Sequence, residues 1–168
     1  MNAVETHPIL LCYDGSPGAK HAIETAGAMF PGHAAVVLHV WSPVALIASR
    51  YGGLATMSSY DDSELQEAAM ELAGEGARAA SDAGLAATAE ACETTYSGTT
   101  HDILVAAGRH DAALIVLGAR GLSTFRAMLL GSVSHGVAQH ADRPVLIVPP
   151  ATRDEPTPAS AERSHASV

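Results

Sequence analysis

The chain has 168 residues, enough for one domain with a full core and too few for a second of ordinary size. Hydrophobic residues make up 48% and charged residues 16%, which excludes an intrinsically disordered chain. The formal net charge is -9 and no basic patch stands out, so duplex nucleic acid is not an expected partner, and any phosphate site has to rely on local donors.

Strand and helix patterns alternate along the chain. Ile9 to Tyr13 is a short apolar run that ends at Asp14-Gly15-Ser16. Ser16 followed by Pro17 starts a helix, with a capping hydroxyl and then proline at the first helical position. That helix runs to about Phe30 and is stopped by Pro31-Gly32, and the Val-rich run Ala34 to Trp41 reads as a second buried strand. Ser42 to Asp62 is a long mixed loop, expected to be a flap. Ser63 with Gln66 has the form of a capping box. The helix after it puts Leu65, Ala69, Leu72 and Ala80 on one face and ends at Gly84. Leu85 to Tyr96 is a weaker strand candidate, and Thr99 or Thr100 caps a third helix that turns Ile103, Leu104 and Ala107 inward and closes at Gly108. Ala112 to Leu117 is the fourth strand. Leu122 to Leu130 reads as a short helical turn, and Gly131-Ser132 opens a last helix to about Ala141. Pro144 to Val148 is the fifth strand, and residues 151–168 have the composition of a disordered tail. Residues 1–150 therefore form the domain.

This order predicts an α/β fold: a doubly wound, open, five-stranded parallel sheet with helices on both faces. With strand order 3-2-1-4-5 the order reverses between strands 1 and 4, where ligands of such folds bind. The exit loops there are Asp14-Gly15-Ser16 and Gly118-Ala119-Arg120-Gly121. Gly118, Gly121, Gly131 and Ser132 make the strongest constellation. Glycines let backbone amides approach an anion, and the start of the last helix adds free N–H groups and a favourable dipole. Ser132 and Ser134 add hydroxyl donors, and Arg120 and Arg126 are the nearest cations. Local physics alone leaves a phosphate nest and mere turn punctuation both open. Asp14 likewise reads as a turn aspartate bonded to local amides or as a ligand contact.

Gly-x-x-Gly, nine residues, then Gly-Ser stands here as GARGLSTFRAMLLGSVS. It resembles the ATP-binding pattern of the universal stress proteins. The segments ILLCYDGSPGAKHAI, VVLHVWSP, DAALIVLGARG and RPVLIVPP resemble that family's first, second, fourth and fifth strands with their exits, so the likeness covers about residues 7–150. The resemblance implies ATP as ligand. Asp14 would contact the adenosine part, the backbone of Val40 would hold the adenine, and Gly118, Arg120, Gly121, Gly131, Ser132, Val133 and Ser134 would surround the ribose and phosphates. Magnesium would be held through the phosphates and water. Tyr13 departs from the family, which often has an aliphatic residue there.

The function this implies is a nucleotide-dependent stress regulator or sensor with an unidentified protein partner. The P-loop pattern Gly-x-x-x-x-Gly-Lys-Ser/Thr is absent, the sole lysine is Lys20, and no residue set reads as catalytic. The rival readings are a slow ATPase, with Asp14 or His39 assisting a water, and a nucleotide-free interaction protein. The histidines show no metal-ligand spacing; His39, within an apolar strand, reads as a satisfied core histidine. Cys12 and Cys92 lack a CxxC and read as buried free thiols. The N-terminus has no basic n-region, and no run approaches membrane-spanning length, so a cytoplasmic location without a membrane partner is expected. The edge strand Pro144–Val148 is apolar on both faces with no charge to blunt it, which predicts a homodimer paired along that edge. The resemblance implies the same. The alternative is that the tail folds back over the edge.

Overall fold

The computed structural model describes residues 7–44, 46, 62–121 and 130–151. The expected flap across 47–61, the helical turn after Gly121 with Arg126 in it, and the tail from 152 onward lie outside them. In chain order the elements are β1 (Ile9–Cys12), α1 (Pro17–Met29), β2 (Ala34–Trp41), α2 (Asp62–Asp82), β3 (Ala86–Glu93), α3 (Thr99–Arg109), β4 (Leu114–Gly118), α4 (Ser132–His140) and β5 (Val145–Val148). The five strands form one parallel sheet in the order β3-β2-β1-β4-β5.

The two faces of the sheet follow from the two-residue alternation of each strand. Ile9 and Leu11 of β1, Val37 of β2 and Val116 of β4 pack with Ala19, Ala22 and Ile23 of α1 and Ala80 of α2. Leu10, Leu38, Ile115 and Leu117 point the other way, onto Ile103, Ala106 and Ala107 of α3 and Val137 of α4. Helices α1 and α2 thus cover one face, α3 and α4 the other. The helices following the neighbouring strands β1 and β4 leave on opposite faces, which opens a crevice at the carboxyl ends of those strands.

Several boundaries differ from the sequence reading, each for a local reason. β1 ends at Cys12, because Tyr13 has already bent toward the loop while its N–H still donates to the Leu38 carbonyl at 2.9 Å. α2 begins at Asp62, which places Ser63 inside the first turn rather than at a capping position. α3 is not capped by a threonine. Gly98, at φ 89, is its N-cap, and both Thr99 and Thr100 are helical. The hydroxyls of Thr94 and Thr95 and the Thr95 N–H instead donate to the buried Asp102 carboxylate, tying the β3 exit to α3. β4 spans Leu114–Gly118, shifted two residues toward the crevice at its start. Ser16 does cap α1, its Oγ accepting from the Ala19 N–H at 3.1 Å with Pro17 next.

Cys12 and Cys92 are free. Cys12 pairs with Leu38 and Cys92 with Val40, so β2 lies between them. Two strand spacings come to roughly 9–10 Å, beyond disulfide reach.

Tyr13 is buried, and its ring fills the space beside Gly76 of α2. A Cβ at Gly76 would stand 2.7 Å from Tyr13 Cδ1 and 2.8 Å from Val37 Cγ1. The Gly76→Ala variant is therefore expected to lose about 1–3 kcal/mol by overpacking, read by urea denaturation, despite a better helix former. In a Tyr13→Leu background the same change costs less; equal costs in the two backgrounds would contradict the contact.

Candidate functional site

A cavity of about 240 Å³ opens at the carboxyl ends of β1, β2 and β4, between the starts of α3 and α4. Asp14, Val40, Gly118, Arg120, Gly121, Gly131, Ser132, Val133 and Ser134, all singled out from the sequence, line it. So do His39, which the sequence reading offered with Asp14 as an aid to a water, and Cys12, Leu38, Thr99, Ile103 and Leu117, which it did not assign to a site. Strand periodicity was a usable signal for three of these. Cys12, Leu38 and Leu117 face the α3/α4 side near the carboxyl ends of their strands. Thr99 and Ile103 are recognisable only once α3 is known to pack over the cavity.

The polar groups around the cavity divide into those that shape it and those left over. The Gly131 N–H donates to the Ala119 carbonyl at 2.8 Å, and Ser134 Oγ donates to the Gly118 carbonyl at 2.8 Å. Two groups expected to serve a phosphate therefore close the loop between β4 and α4 instead. The N–H groups of Ser132, Val133 and Ser134 remain: they belong to the first turn of α4, where no helical carbonyl lies ahead to accept them. The partial positive charge of that helix end falls in the same place.

The glycines have distinct reasons to be glycine. A Cβ on Gly118 would sit 2.8 Å from the Gly18 carbonyl, and one on Gly18 would sit 2.7 Å from the Arg120 carbonyl oxygen. The start of α1 and the exit of β4 thus meet backbone to backbone. A Cβ on Gly121 would collide with Asp14 Oδ2. Gly131 is the roomiest of these, with 3.5 Å to the nearest atom, the Ala119 oxygen.

Both readings of Asp14 hold some ground in the geometry. Its Oδ1 accepts from the Ser16 N–H at 3.0 Å, as a turn aspartate does, while the half-buried residue also lines the cavity. Arg120 carries a guanidinium whose Nε is buried and has no hydrogen-bond partner among the described residues. A buried N–H without an acceptor costs about 1–3 kcal/mol, more when charged. Other atoms of Arg120 line the cavity.

Next to the cavity, the Tyr13 hydroxyl donates to Glu75 Oε1 at 2.8 Å, and Lys20 Nζ meets the same oxygen at 3.0 Å. The Lys20 hydrogen bond, followed by that of Tyr13, holds the Glu75 carboxyl below its ordinary range. Burial, then the bond to Glu75, raises the Tyr13 phenol. His39 is half-buried and its Nδ1 donates to the Tyr13 carbonyl at 2.8 Å, in line with a satisfied histidine. Burial, with the Asp14 charge beside it, pushes the Cys12 thiol up to about 12. Among the described residues no cluster of three His, Cys, Asp or Glu could hold a metal, and no helix is long and apolar enough to cross a membrane.

The model of the universal stress protein family matches residues 5–149. This chain belongs to the universal stress protein family. Universal stress protein YxiE of Bacillus subtilis is 32% identical over 146 residues, covering 83% of this chain and 97% of the relative. A universal stress protein solved in complex with cAMP superposes with a TM-score of 0.63 at 20% identity, over 84% of this chain and 96% of that one. The universal stress protein of Archaeoglobus fulgidus in complex with dAMP gives a TM-score of 0.57 at 21% identity, over 84% and 96%. These two structures share the fold with this member of the family.

The thiol of Cys12 supplies a test of the cavity's environment. At pH 8 the folded Cys92→Ser variant is expected to react with an aromatic disulfide reagent far more slowly than the urea-unfolded one. A thiol raised to about 12 has roughly three orders of magnitude less thiolate there than a free one. Comparable rates in the two states would show that the thiol is not held protonated.

Proposed function

We propose that this universal stress protein binds an adenine nucleotide, ATP, in the crevice between β1 and β4 and acts as a nucleotide-dependent stress regulator in the cytoplasm. The observation that carries the reading is Arg120, a residue of the cavity lining whose buried Nε has no partner among the described residues, beside the first turn of α4, which lines the same cavity. A phosphate accepts from both. The apolar floor of Cys12, Leu38, Ile103 and Leu117 suits the flat face of a base. The solved relatives with cAMP and dAMP carry adenine nucleotides, which supports the same ligand class here.

In this reading the main chain of Val40 holds the adenine and Asp14 takes the adenosine part. Gly118, Arg120, Gly121, Gly131, Ser132, Val133 and Ser134 surround ribose and phosphates. Magnesium travels with the phosphates and water. Binding changes the surface around Gly118 and Ser134, and the altered surface is what a protein partner reads.

Calorimetric titration with Mg-ATP tests this directly. Gly121→Val drives a side chain into the Asp14 carboxylate and the ligand space, and binding is expected to vanish. Arg120→Met, which keeps the length and removes the donor, is expected to weaken binding at least about tenfold with thermal stability unchanged or raised. Wild-type affinity in both folded variants would overturn the assignment.

We also propose a homodimer paired antiparallel along β5. The strand bonds only to β4 in the sheet, and Val145, Leu146 and Ile147 are each only partly covered. A second β5 about a two-fold axis satisfies both edges with one interface. Sedimentation equilibrium is expected to show a dimer at micromolar concentration, shifted toward monomer or aggregate by Ile147→Lys or Val145→Pro. A wild-type monomer would end the proposal.

A further inference from the structure

We infer that His39 is a positioning residue for Asp14, acting across the sheet through the Tyr13 carbonyl; the inference rests on the nucleotide reading of the cavity. Alternation along β2 puts Leu38 and Val40 on the α3/α4 side, toward the cavity floor, and His39 with Val37 on the α1/α2 side. From there its ring reaches back to the end of β1. A carbonyl oxygen only accepts, so Nδ1 is the protonated nitrogen in the 2.8 Å contact with Tyr13.

That bond fixes more than a histidine. The Tyr13 carbonyl and the Asp14 N–H share one peptide plane. Tyr13 is already held at its other backbone group, where its N–H donates to the Leu38 carbonyl at 2.9 Å, and its ring is enclosed by Gly76 and Val37. The hydroxyl is held by Glu75. The one remaining freedom is rotation of the plane between Tyr13 and Asp14, and His39 removes it. With the plane fixed, the Asp14 N and Cα are fixed as well, and the bond from the Ser16 N–H holds the side chain at its far end. Its Oδ1 then meets the Ser16 N–H, and its Oδ2 faces Gly121 across the crevice. Without the imidazole donor the carbonyl has no partner among the described residues, and the plane can tilt to find water. The carboxylate would swing with it, away from the position that a nucleotide would contact.

The second side of His39 fits the same role. It borders a hollow walled by Trp41, Leu65, Ala68 and Leu72, with no charged group among the residues that line it. The ring thus meets no charged group on that side to draw it away, and makes its polar contact with the Tyr13 carbonyl.

The test is a titration of wild type, His39→Leu, His39→Asn, Asp14→Ala and the His39→Leu/Asp14→Ala pair with Mg-ATP, together with amide hydrogen exchange without ligand. His39→Leu should weaken ATP binding about tenfold, and His39→Asn, whose amide places a donor near Nδ1, should recover most of it. In the Asp14→Ala background His39→Leu should change affinity by less than about twofold, because its effect passes through that carboxylate. The Ser16 amide should exchange faster in His39→Leu and recover in His39→Asn, while the Ile115 amide, bonded to Pro144 far from the crevice, should not change. Additive effects of the two substitutions, an affinity indifferent to His39→Leu, or an unchanged Ser16 amide each overturn the inference. If wild type binds no adenine nucleotide, the nucleotide reading fails by itself and the Ser16 exchange alone decides whether His39 positions Asp14. Should His39→Leu not fold, His39→Gln replaces it, since its donor lies one bond too far along to meet the same carbonyl.

Discussion

The crevice exists because two pieces of backbone touch. Gly18 in the first turn of α1 and Gly118 at the end of β4 leave no room for a Cβ on either side, so the helix start rests directly on the strand exit. The ladder between β1 and β4 sets the strand spacing, and that contact sets how closely the start of α1 seats on the exit of β4. The fold supplies the rest by topology: α1 leaves on one face and α4 on the other, so neither can fill the gap between them. A side chain at either glycine would wedge the helix away and move Asp14, which sits between β1 and α1, along with it.

Around this contact the polar groups are allotted with little to spare. Ser16 caps α1, Asp14 satisfies Ser16, Gly131 and Ser134 satisfy the carbonyls of Ala119 and Gly118, and Asp102 collects three donors from the loop before α3. Such a network is rigid because each member has a partner. What remains unpaired is correspondingly informative. Among the described residues these are the first-turn amides of α4 and Arg120 Nε; their residues line one cavity, and the carboxylate in that lining, Asp14, is already turned to Ser16 by one oxygen. The chain's overall acidity is no obstacle to an anion at such a place, because fixed dipoles and one half-buried arginine act at short range, while the scattered carboxylates are screened by solvent.

Much of this was legible in the sequence. The alternation of strands and helices and the bounds of β2 follow from periodicity and from the Pro and Gly punctuation. The lining residues were named from the spacing of three glycines, the Asp14-Gly15-Ser16 exit and the resemblance to the universal stress proteins, which alone pointed to Val40. Less legible was how each residue is used. Ser134 and Gly131 looked like phosphate donors because spacing cannot tell a hydroxyl aimed at a ligand from one aimed at the next carbonyl. Thr99 looked like a cap because the left-handed backbone of Gly98, which starts α3 one residue sooner, leaves no mark beyond the glycine itself. His39 was read correctly as bonded, but its partner, the Tyr13 carbonyl, is set by how β1 and β2 align and not by anything local to either strand.

Tyr13 and Gly76 are 63 positions apart in sequence and yet occupy one volume. A ring at 13 and a Cβ at 76 compete for the same space, so the order in which the two positions change has consequences. A lineage with an aliphatic residue at 13 can lose the side chain at 76 first, at the cost of a small void, and then fill that void with the tyrosine. The opposite order passes through an overpacked protein with the end of β1 displaced, at the very residue that precedes Asp14. Once the ring is in place and bonded to Glu75, position 76 can no longer drift, although it lies on a different element from every residue of the cavity.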